Sequence, residues 1–341
     1  MRIAEIAPLA HPVPPPGEGS IETVVALLAE GLQALGHEVT LFATADSRAS
    51  VRLLSPVETG YTADPNKWDW QLYETYQARE AFARARQFDV IHCHAYHFGL
   101  LFCDAAPTPS LHSLHVEPGP DTTFLLRRTR RRRVHCCSRF QAAALDGLPG
   151  VHVVPHGLDL SRYGVAEPAE REDYVAFLGR FTPDKGVLEA IDLCARAGLP
   201  LRLAAPVNDY YRQAVAPRVD GRRVQCAGEL RGRDKAQFLA RARALLYPIR
   251  RPEPFGLVLV EALASGLPVV AYDRGAVAEI IDHGRTGWLG REPEDLLTGL
   301  ERVEKLDRQA VRREAEVRFS AERMIQDLEA LLLHTIEAPE P

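Results

Sequence analysis

Short apolar runs alternate with longer stretches whose apolar residues recur at helical spacing along most of this chain. RIAEIAP, EVTLFATA, DVIHCHA, TPSLHSL, RVHCCS and HVVPHGLD read as buried strands. Ile21, Val24, Val25, Leu28, Leu32 and Leu35 mark one face of a helix that opens at Ser20 and is closed by Gly36. A second helical stretch covers about residues 69–86. A polar, acidic segment at 164–173 breaks the pattern and reads as a linker. The alternation then resumes with YVAFLGRF, a helix from about 185 to 197, and the strands LPLRLAAPV, VQCAGEL, ALLYPI and LPVVAYD. PEDLLTGLERV and SAERMIQDLEALLLHTI close the chain as amphipathic helices. The pattern predicts an α/β protein of two doubly wound halves, with a ligand expected in the crevice between them.

Within EPFGLVLVEALASGLPVVA, from residue 253, two acids flank an apolar run. Pro254 keeps Glu253 out of helix. From Gly256, Leu257, Val260, Leu263 and Ala264 repeat at helical spacing, so Glu253 precedes a helix N-terminus and Glu261 lies in its second turn. Such a terminus favours an anion, and the acids would accept hydrogen bonds from hydroxyl groups. A phosphate attached to sugars has both. The alternative reading leaves Glu253 complementing the helix dipole and Glu261 in solvent.

Composition narrows the classes. A chain of 341 residues has room for two domains, and 46% apolar with 26% charged residues is ordinary for a globular protein. The net charge of −5 gives no push toward nucleic acid. Lysine occurs only at Lys67, Lys185, Lys235 and Lys305; the arginine bias fits a high-GC, bacterial genome. The start resembles neither a signal peptide nor a membrane span. The six cysteines, without a C-x-x-C pair, read as buried free thiols of a cytoplasmic protein.

Four further stretches could carry chemistry. In GEGSIE, Gly17 and Gly19 allow close backbone approach to a ligand and Ser20 begins a helix aimed at it; a plain loop and cap is the other reading. In GRFTPDKG, Arg180 and Lys185 flank a turn at a strand's carboxyl end, where two cations suit a diphosphate. His92, His94, His97, His112 and His115 crowd strand ends, but their spacing matches no zinc pattern, and strand alternation separates Cys93 from His92 and His94. A histidine touching phosphate or hydroxyl fits better than a metal site. RRTRRRR holds Arg127, Arg128, Arg130, Arg131, Arg132 and Arg133, either a solvated face or a contact with an anionic membrane surface, nucleic acid or a phosphorylated acceptor. No aromatic stripe accompanies it for nucleic acid.

Together these stretches resemble the retaining family-4 glycosyltransferases of the GT-B fold. EPFGLVLVE resembles that family's E-x7-E signature, FLGRFTPDKG its F-x-G-R-x-x-x-x-K-G segment, and VVPHGLD its V-I-P-N-G-V-D junction with His156 for Asn. GEGSIETVVALLAEGLQALGHEVTLFAT resembles its N-terminal G-G-x-E helix and second strand with Ser20 for Gly, and TPSLHSL the strand that delivers a histidine to the donor. The resemblance implies two Rossmann-like domains facing a crevice: 1–160 for the acceptor, 161–320 for a nucleotide sugar, and 321–341 as a helix crossing back. It implies that Glu261 holds ribose hydroxyls, Glu253 the transferred sugar, and Arg180 and Lys185 the diphosphate with the N–H groups of Leu257 and Val258. Phe255 and Gly256 fall in the same donor segment. Gly19 and Ser20 would meet the distal phosphate, His112 the sugar and leaving phosphate, and the backbone of Gly228, Glu229 and Leu230 the base. No metal or other cofactor is implied.

The function so implied is transfer of a sugar from a nucleoside-diphosphate sugar, UDP-linked first, to a small-molecule or lipid-linked acceptor. Acceptor contacts are expected from the loops 8–19, 60–72 and 94–98. A cytoplasmic location, peripheral to the inner membrane face, goes with it. Competing readings are a GT-B nucleotide-sugar epimerase or hydrolase, and a non-catalytic nucleotide- or glycan-binding module. A nicotinamide oxidoreductase is disfavoured by the missing G-x-G-x-x-G.

Overall fold

The computed structural model describes every residue except Glu18, Pro65, Trp68 and residues 339–341. Among the described residues, thirteen strands form two sheets in which all pairs are parallel. The strands are β1 Arg2–Ile6, β2 Glu38–Phe42, β3 Arg52–Leu54, β4 Val90–Cys93, β5 Ser110–Leu114, β6 Arg133–Cys136, β7 Val151–Val153, β8 Val175–Leu178, β9 Leu201–Ala204, β10 Val224–Cys226, β11 Ala244–Tyr247, β12 Val269–Tyr272 and β13 Gly287–Gly290. The helices are α1 Ser20–Ala34, α2 Trp70–Phe82, α3 Pro120–Arg128, α4 Arg139–Ala143, α5 Val187–Ala197, α6 Gly232–Arg241, α7 Leu257–Ala264, α8 Val277–Ile280, α9 Pro293–Arg302, α10 Arg308–Arg318 and α11 Ala321–Glu337.

The chain divides into two compact units, residues 1–157 with 321–341, and residues 158–320. In the first, the strand order is β3-β2-β1-β4-β5-β6-β7. Its central strands are buried on both faces, which is why they read as near-continuous apolar runs. Ile6, Phe42, Ile91 and Val134 fill the interior with Phe82 and Phe88, and Val25 of α1 packs with Leu41. Helix α11 belongs to this unit: its Ile325 lies against Gly31 of α1, and Glu329 meets a ring nitrogen of His37 at 2.6 Å.

In the second unit the order is β10-β9-β8-β11-β12-β13. Val175, Phe177, Leu203, Leu246 and Val270 are sealed by Ile191 of α5 and Leu296 of α9. In both sheets the order reverses beside the first strand of the unit, between β1 and β4 and between β8 and β11. Loops that leave neighbouring strands in opposite directions open a crevice at such a point, at the carboxyl ends of the strands.

The segment 164–173 is not a linker. The division falls after Gly157, and residues 158–163 already belong to the second unit: Leu158 bridges to Ser320, and Tyr163 bonds Glu261. The helix expected from 185 starts at Val187, after a 3-10 turn at Pro183–Lys185. Gly186 joins the two with φ 74, and a Cβ there would overlap the carbonyl oxygen of Pro248.

Candidate functional site

At the reversal point of the second unit, the loop after β8 carries Arg180 and Lys185 and the loop after β11 carries Glu253. Lys185 Nζ donates to Glu253 Oε2 at 2.7 Å and to the Tyr247 hydroxyl at 3.2 Å. Tyr247 donates its own hydroxyl hydrogen to the same Oε2. Burial and the charge of Glu253 push that phenol well above its usual range, so it stays a donor. Glu253 is pinned through its backbone as well: Ala276 N–H donates to its carbonyl at 2.8 Å and it forms a β-bridge with Gly275. Arg180 is exposed beside this group.

The second acid repeats the device. Glu261, in α7, accepts at Oε1 from Lys235 Nζ of α6 at 2.5 Å and from the Tyr163 hydroxyl at 2.9 Å. Burial, then the Glu261 charge, raises the Tyr163 phenol. Between the acids, α7 begins at Leu257 after Gly256. N–H groups in a first helical turn have no intrahelical acceptor. An ammonium has three hydrogens and each carboxylate about four lone-pair positions, so both clamps keep capacity for a ligand. The arrangement suits a molecule that carries anionic groups and hydroxyls a few ångströms apart.

Tyr247, Tyr163 and Lys235 were missed in the sequence. The scarcity of lysine could have flagged Lys235; nothing local distinguishes the tyrosines. Phe255 is corrected: its ring is buried edge-on against Phe319, so it packs the interior instead of lining a site. Glu229 is exposed and forms a two-bond pair with Arg231, at 2.7 and 3.0 Å. Gly228 is half-buried beside it, and Leu230 lines a cavity of about 370 Å³ with Ala227, Tyr174, Phe238 and Arg202. That cavity includes none of Arg180, Lys185, Glu253 and Glu261, and the hydrogen-bonded clamps are the better guide to chemistry.

The first unit holds Gly19 and Ser20 at the start of α1, where Thr23 N–H and hydroxyl both donate to the Gly19 carbonyl. Glu18 lies outside the described residues. His112 is corrected. It sits in mid-strand, fully buried, parallel to the Phe82 ring and bonded to Ser110, on the face covered by α2. The side chain at the carboxyl end of β5 is His115, partly exposed just past Leu114.

The loops 8–19, 60–72 and 94–98 come together. Tyr61 N–H donates to the Leu9 carbonyl, and Trp70 makes ring contacts with Tyr61, Tyr96 and Phe98. Tyr96 has φ 48, a strained conformation for a bulky residue. Behind this cluster Glu74 accepts from Leu9 N–H at 2.8 Å, and burial pushes its carboxyl up to about 8. Burial raises Glu22 to about 7.

Among the described residues, Glu5, His92 and His94 are the group whose ligand atoms lie close enough to hold a metal. All three are buried, and their polar contacts are at hydrogen-bond distance, so we read them as a hydrogen-bond network. Cys93 points to the opposite face, toward Gly99 and His112. The arginine run is divided: Arg127, Arg128 and Arg130 are exposed, while Arg132 and Arg133 are buried and donate to the carbonyls of Thr129 and Ala338. Arg128 stacks 3.7 Å from the centre of the exposed Phe124 ring.

Residues 21–162 match the family described as Glycosyltransferase Family 4, and residues 165–318 the family described as Glycosyl transferases group 1. A phosphatidyl-myo-inositol mannosyltransferase of Mycolicibacterium smegmatis is 28% identical over 325 residues, covering 85% of this chain and 80% of that protein. A GDP-mannose-dependent alpha-mannosyltransferase of the same organism is 29% identical over 181 residues, 49% of this chain and 46% of that protein. AviGT4, a glycosyltransferase involved in avilamycin A biosynthesis, superimposes with a TM-score of 0.75 at 27% identity, over 100% of this chain and 99% of that one. Anabaena Alr3699/HepE, in complex with UDP and glucose, superimposes at 0.76 over 98% and 99% of the chains; at 20% identity that likeness speaks for the fold alone.

Proposed function

This chain belongs to the family-4 glycosyltransferases of the GT-B fold, and from that premise we propose that it moves a hexose from a nucleoside-diphosphate donor to an acceptor hydroxyl with retention at the anomeric carbon. The observation that carries the donor class is the pair of carboxylates, each clamped by one lysine and one tyrosine, at the two ends of a helix-start segment. Lys185, Arg180 and the first-turn N–H groups of Leu257 and Val258 hold the diphosphate. Glu261 accepts from ribose hydroxyls and Glu253 from the transferred sugar.

Breaking the anomeric C–O bond puts positive charge on the sugar and negative charge on the departing phosphate. Fixed cations and amides aimed at that phosphate stabilise the transition state without reorganising, and losing one such donor costs about 100- to 1000-fold in rate. The unpaired part of the Lys185 ammonium does this while its bonds to Glu253 and Tyr247 keep it in place. Glu253 bears its negative charge next to the sugar that becomes positive. No metal is required in this scheme. The role toward the transferred sugar that was given to His112 passes to His115, at the strand end.

A GDP-mannose-dependent relative favours GDP-mannose, and a UDP-hexose is the second reading, kept because a protein of this fold binds UDP. For the acceptor, the aromatic cluster of Tyr61, Trp70 and Tyr96 offers faces to a sugar or cyclitol ring. A lipid-linked acceptor agrees with the phosphatidyl-myo-inositol mannosyltransferase relative. No helix among the described residues is long and apolar enough to cross a membrane, so contact with lipid would run through Phe124 and the exposed arginines. The test is donor consumption with and without acceptor. Transfer yields nucleoside diphosphate and an α-glycoside only when acceptor is present; equal release of free sugar without acceptor would favour the hydrolase or epimerase reading.

A further inference from the structure

We propose that Glu5 is a positioning residue for His115: through His94 it fixes His115 as the neutral ring with its proton on Nε2 and its lone pair on Nδ1. The proposal rests on His115 having that role toward the transferred sugar, as argued above. It follows from counting hydrogens in a buried network that spans β1, β4, β5, β6 and the segment after β7.

One arm runs from the Val154 carbonyl through His135, Ser113 and His92 to Glu5. His135 Nε2 lies 2.8 Å from the carbonyl, Ser113 Oγ 2.7 Å from both His135 Nδ1 and His92 Nε2, and His92 Nδ1 3.1 Å from Glu5 Oε1. Both ends are acceptors. Four contacts must be filled, and two neutral imidazoles and a hydroxyl supply three hydrogens. The arm therefore carries one extra proton. Burial lowers His135 well below its usual range, so the proton sits where a counter-charge waits, in the His92–Glu5 contact. Burial alone would raise Glu5, but the charge and hydrogen bond of His92, with the hydrogen bond of His94, outweigh it and bring the carboxyl down to about 2. Glu5 remains a carboxylate.

That carboxylate orients the other arm. Its Oε2 only accepts, so His94 must donate from Nε2, at 2.9 Å. His94 Nδ1 is then an acceptor and takes the hydrogen of His115 Nε2, also at 2.9 Å. His115 Nδ1 is left with a lone pair, filled by His156 Nε2 at 3.3 Å. Three contacts use three hydrogens, with all three rings neutral. Burial agrees, lowering His94 to about 4, His156 to about 3 and His115 well below its usual value; Arg323 of α11 adds to the effect at His156. The His115–His156 contact is the longest in the network, and it is the one that a sugar hydroxyl donating to Nδ1 would replace. A neutral His115 of this tautomer binds a hydroxyl and adds no positive charge for the phosphate.

The wild-type protein, labelled with 15N-histidine, gives the first test. Its ring-nitrogen signals between about pH 6 and pH 8 should show His94, His115 and His156 protonated at Nε2 alone, and one ring of the other arm protonated at both nitrogens. A His115 protonated at Nδ1, or at both nitrogens, in that range overturns the proposal. So does one tightly held equivalent of divalent metal in the purified protein, since an ion would then stand in place of the extra proton. In Glu5→Gln the amide can donate to His94 as well as accept, which lets the arm reverse. The His115 tautomer should become mixed, and kcat should fall about tenfold, the worth of one hydrogen bond, with nucleoside-diphosphate affinity unchanged. An unchanged tautomer overturns the anchor role of Glu5; a changed tautomer with unchanged kcat overturns the sugar-facing reading of His115.

Discussion

Glu253 and Glu261 share one local device, yet the residues that complete it come from different elements, and substitutions should separate their roles. Lys185→Ala should weaken nucleoside-diphosphate binding by about 1.5–3 kcal/mol, the range for hydrogen bonds to charged groups, and leave nucleoside binding nearly unchanged. Calorimetry on both ligands checks it, and an equal loss on the two would remove Lys185 from the phosphates. Glu261→Gln should weaken bare nucleotide and intact donor alike. Glu253→Gln should spare the bare nucleotide and lower turnover, because charge is lost where the sugar turns positive. The charged half of this site was legible because a proline, a glycine and an apolar repeat mark where α7 begins. Its tyrosines were not: Tyr247 ends a buried strand and reads as interior, and Tyr163 follows a short turn with no periodic pattern around it. The exchange of His112 for His115 has a related cause. Alternation puts Ser113 and His115 on one face and His112 on the other, but β5 is buried throughout, so the pattern does not say which face holds the chemistry.

At the scale of elements, Gly275 is where fold and site meet. Its φ is 64, and a Cβ would overlap the backbone N and O of Glu253. Gly275→Ala should therefore cost at least about 1–2 kcal/mol for the left-handed conformation alone and should displace Glu253. A denaturant melt and a kcat measurement check the two halves; a stable variant with normal kcat would mean that the bridge does not position the acid. The elements that escaped the sequence reading share a physical character. β3 is a three-residue edge strand, and β13 is four residues bounded by glycines. Helix α10 buries only Val311 and Ala315 and is docked largely by guanidinium groups: Arg308 donates to the carbonyls of Ala240 and Ala242, and Arg312 to those of Leu160, Tyr163 and Ala264. Periodicity records apolar burial and is blind to docking of that kind. The acidic segment 164–173 misled for the opposite reason, because a polar stretch on the surface of one unit looks like a joint between two.

For the whole molecule, buried acids and buried histidines together set the dependence of stability on pH. Glu74 and Glu22 hold their protons in the folded state up to about 8 and about 7, against 4.5 ordinarily. Their contribution is fully present below pH 4.5 and is lost as the pH rises through 7 and 8. Glu5, at about 2 when folded, contributes above pH 4.5 and loses that contribution as the pH falls through 2. The buried neutral histidines act the other way below pH 6.5: His94, at about 4, and His112 and His156, at about 3, contribute fully above 6.5 and lose that contribution as the pH falls. Thermal melts should thus rise toward about pH 6.5 and decline from there to pH 8, and Glu74→Gln, which has the shape of the protonated acid, should flatten the declining limb; a variant as pH-sensitive as the wild type on that limb would contradict the assignment. Vesicle sedimentation tests the surface of α3. Binding to anionic lipid should weaken with salt and be lost when Arg127, Arg128 and Arg130 become Gln, at about 1 kcal/mol for each basic residue. The central claim, a donor held by side chains and amides without a metal, is tested most directly by calorimetric titration with GDP-mannose and UDP-glucose in excess EDTA. The account predicts that one of the two binds at a single site per chain and that the matching nucleoside binds far more weakly. Failure of both donors to bind, or binding that appears only when magnesium or manganese is restored, would contradict it.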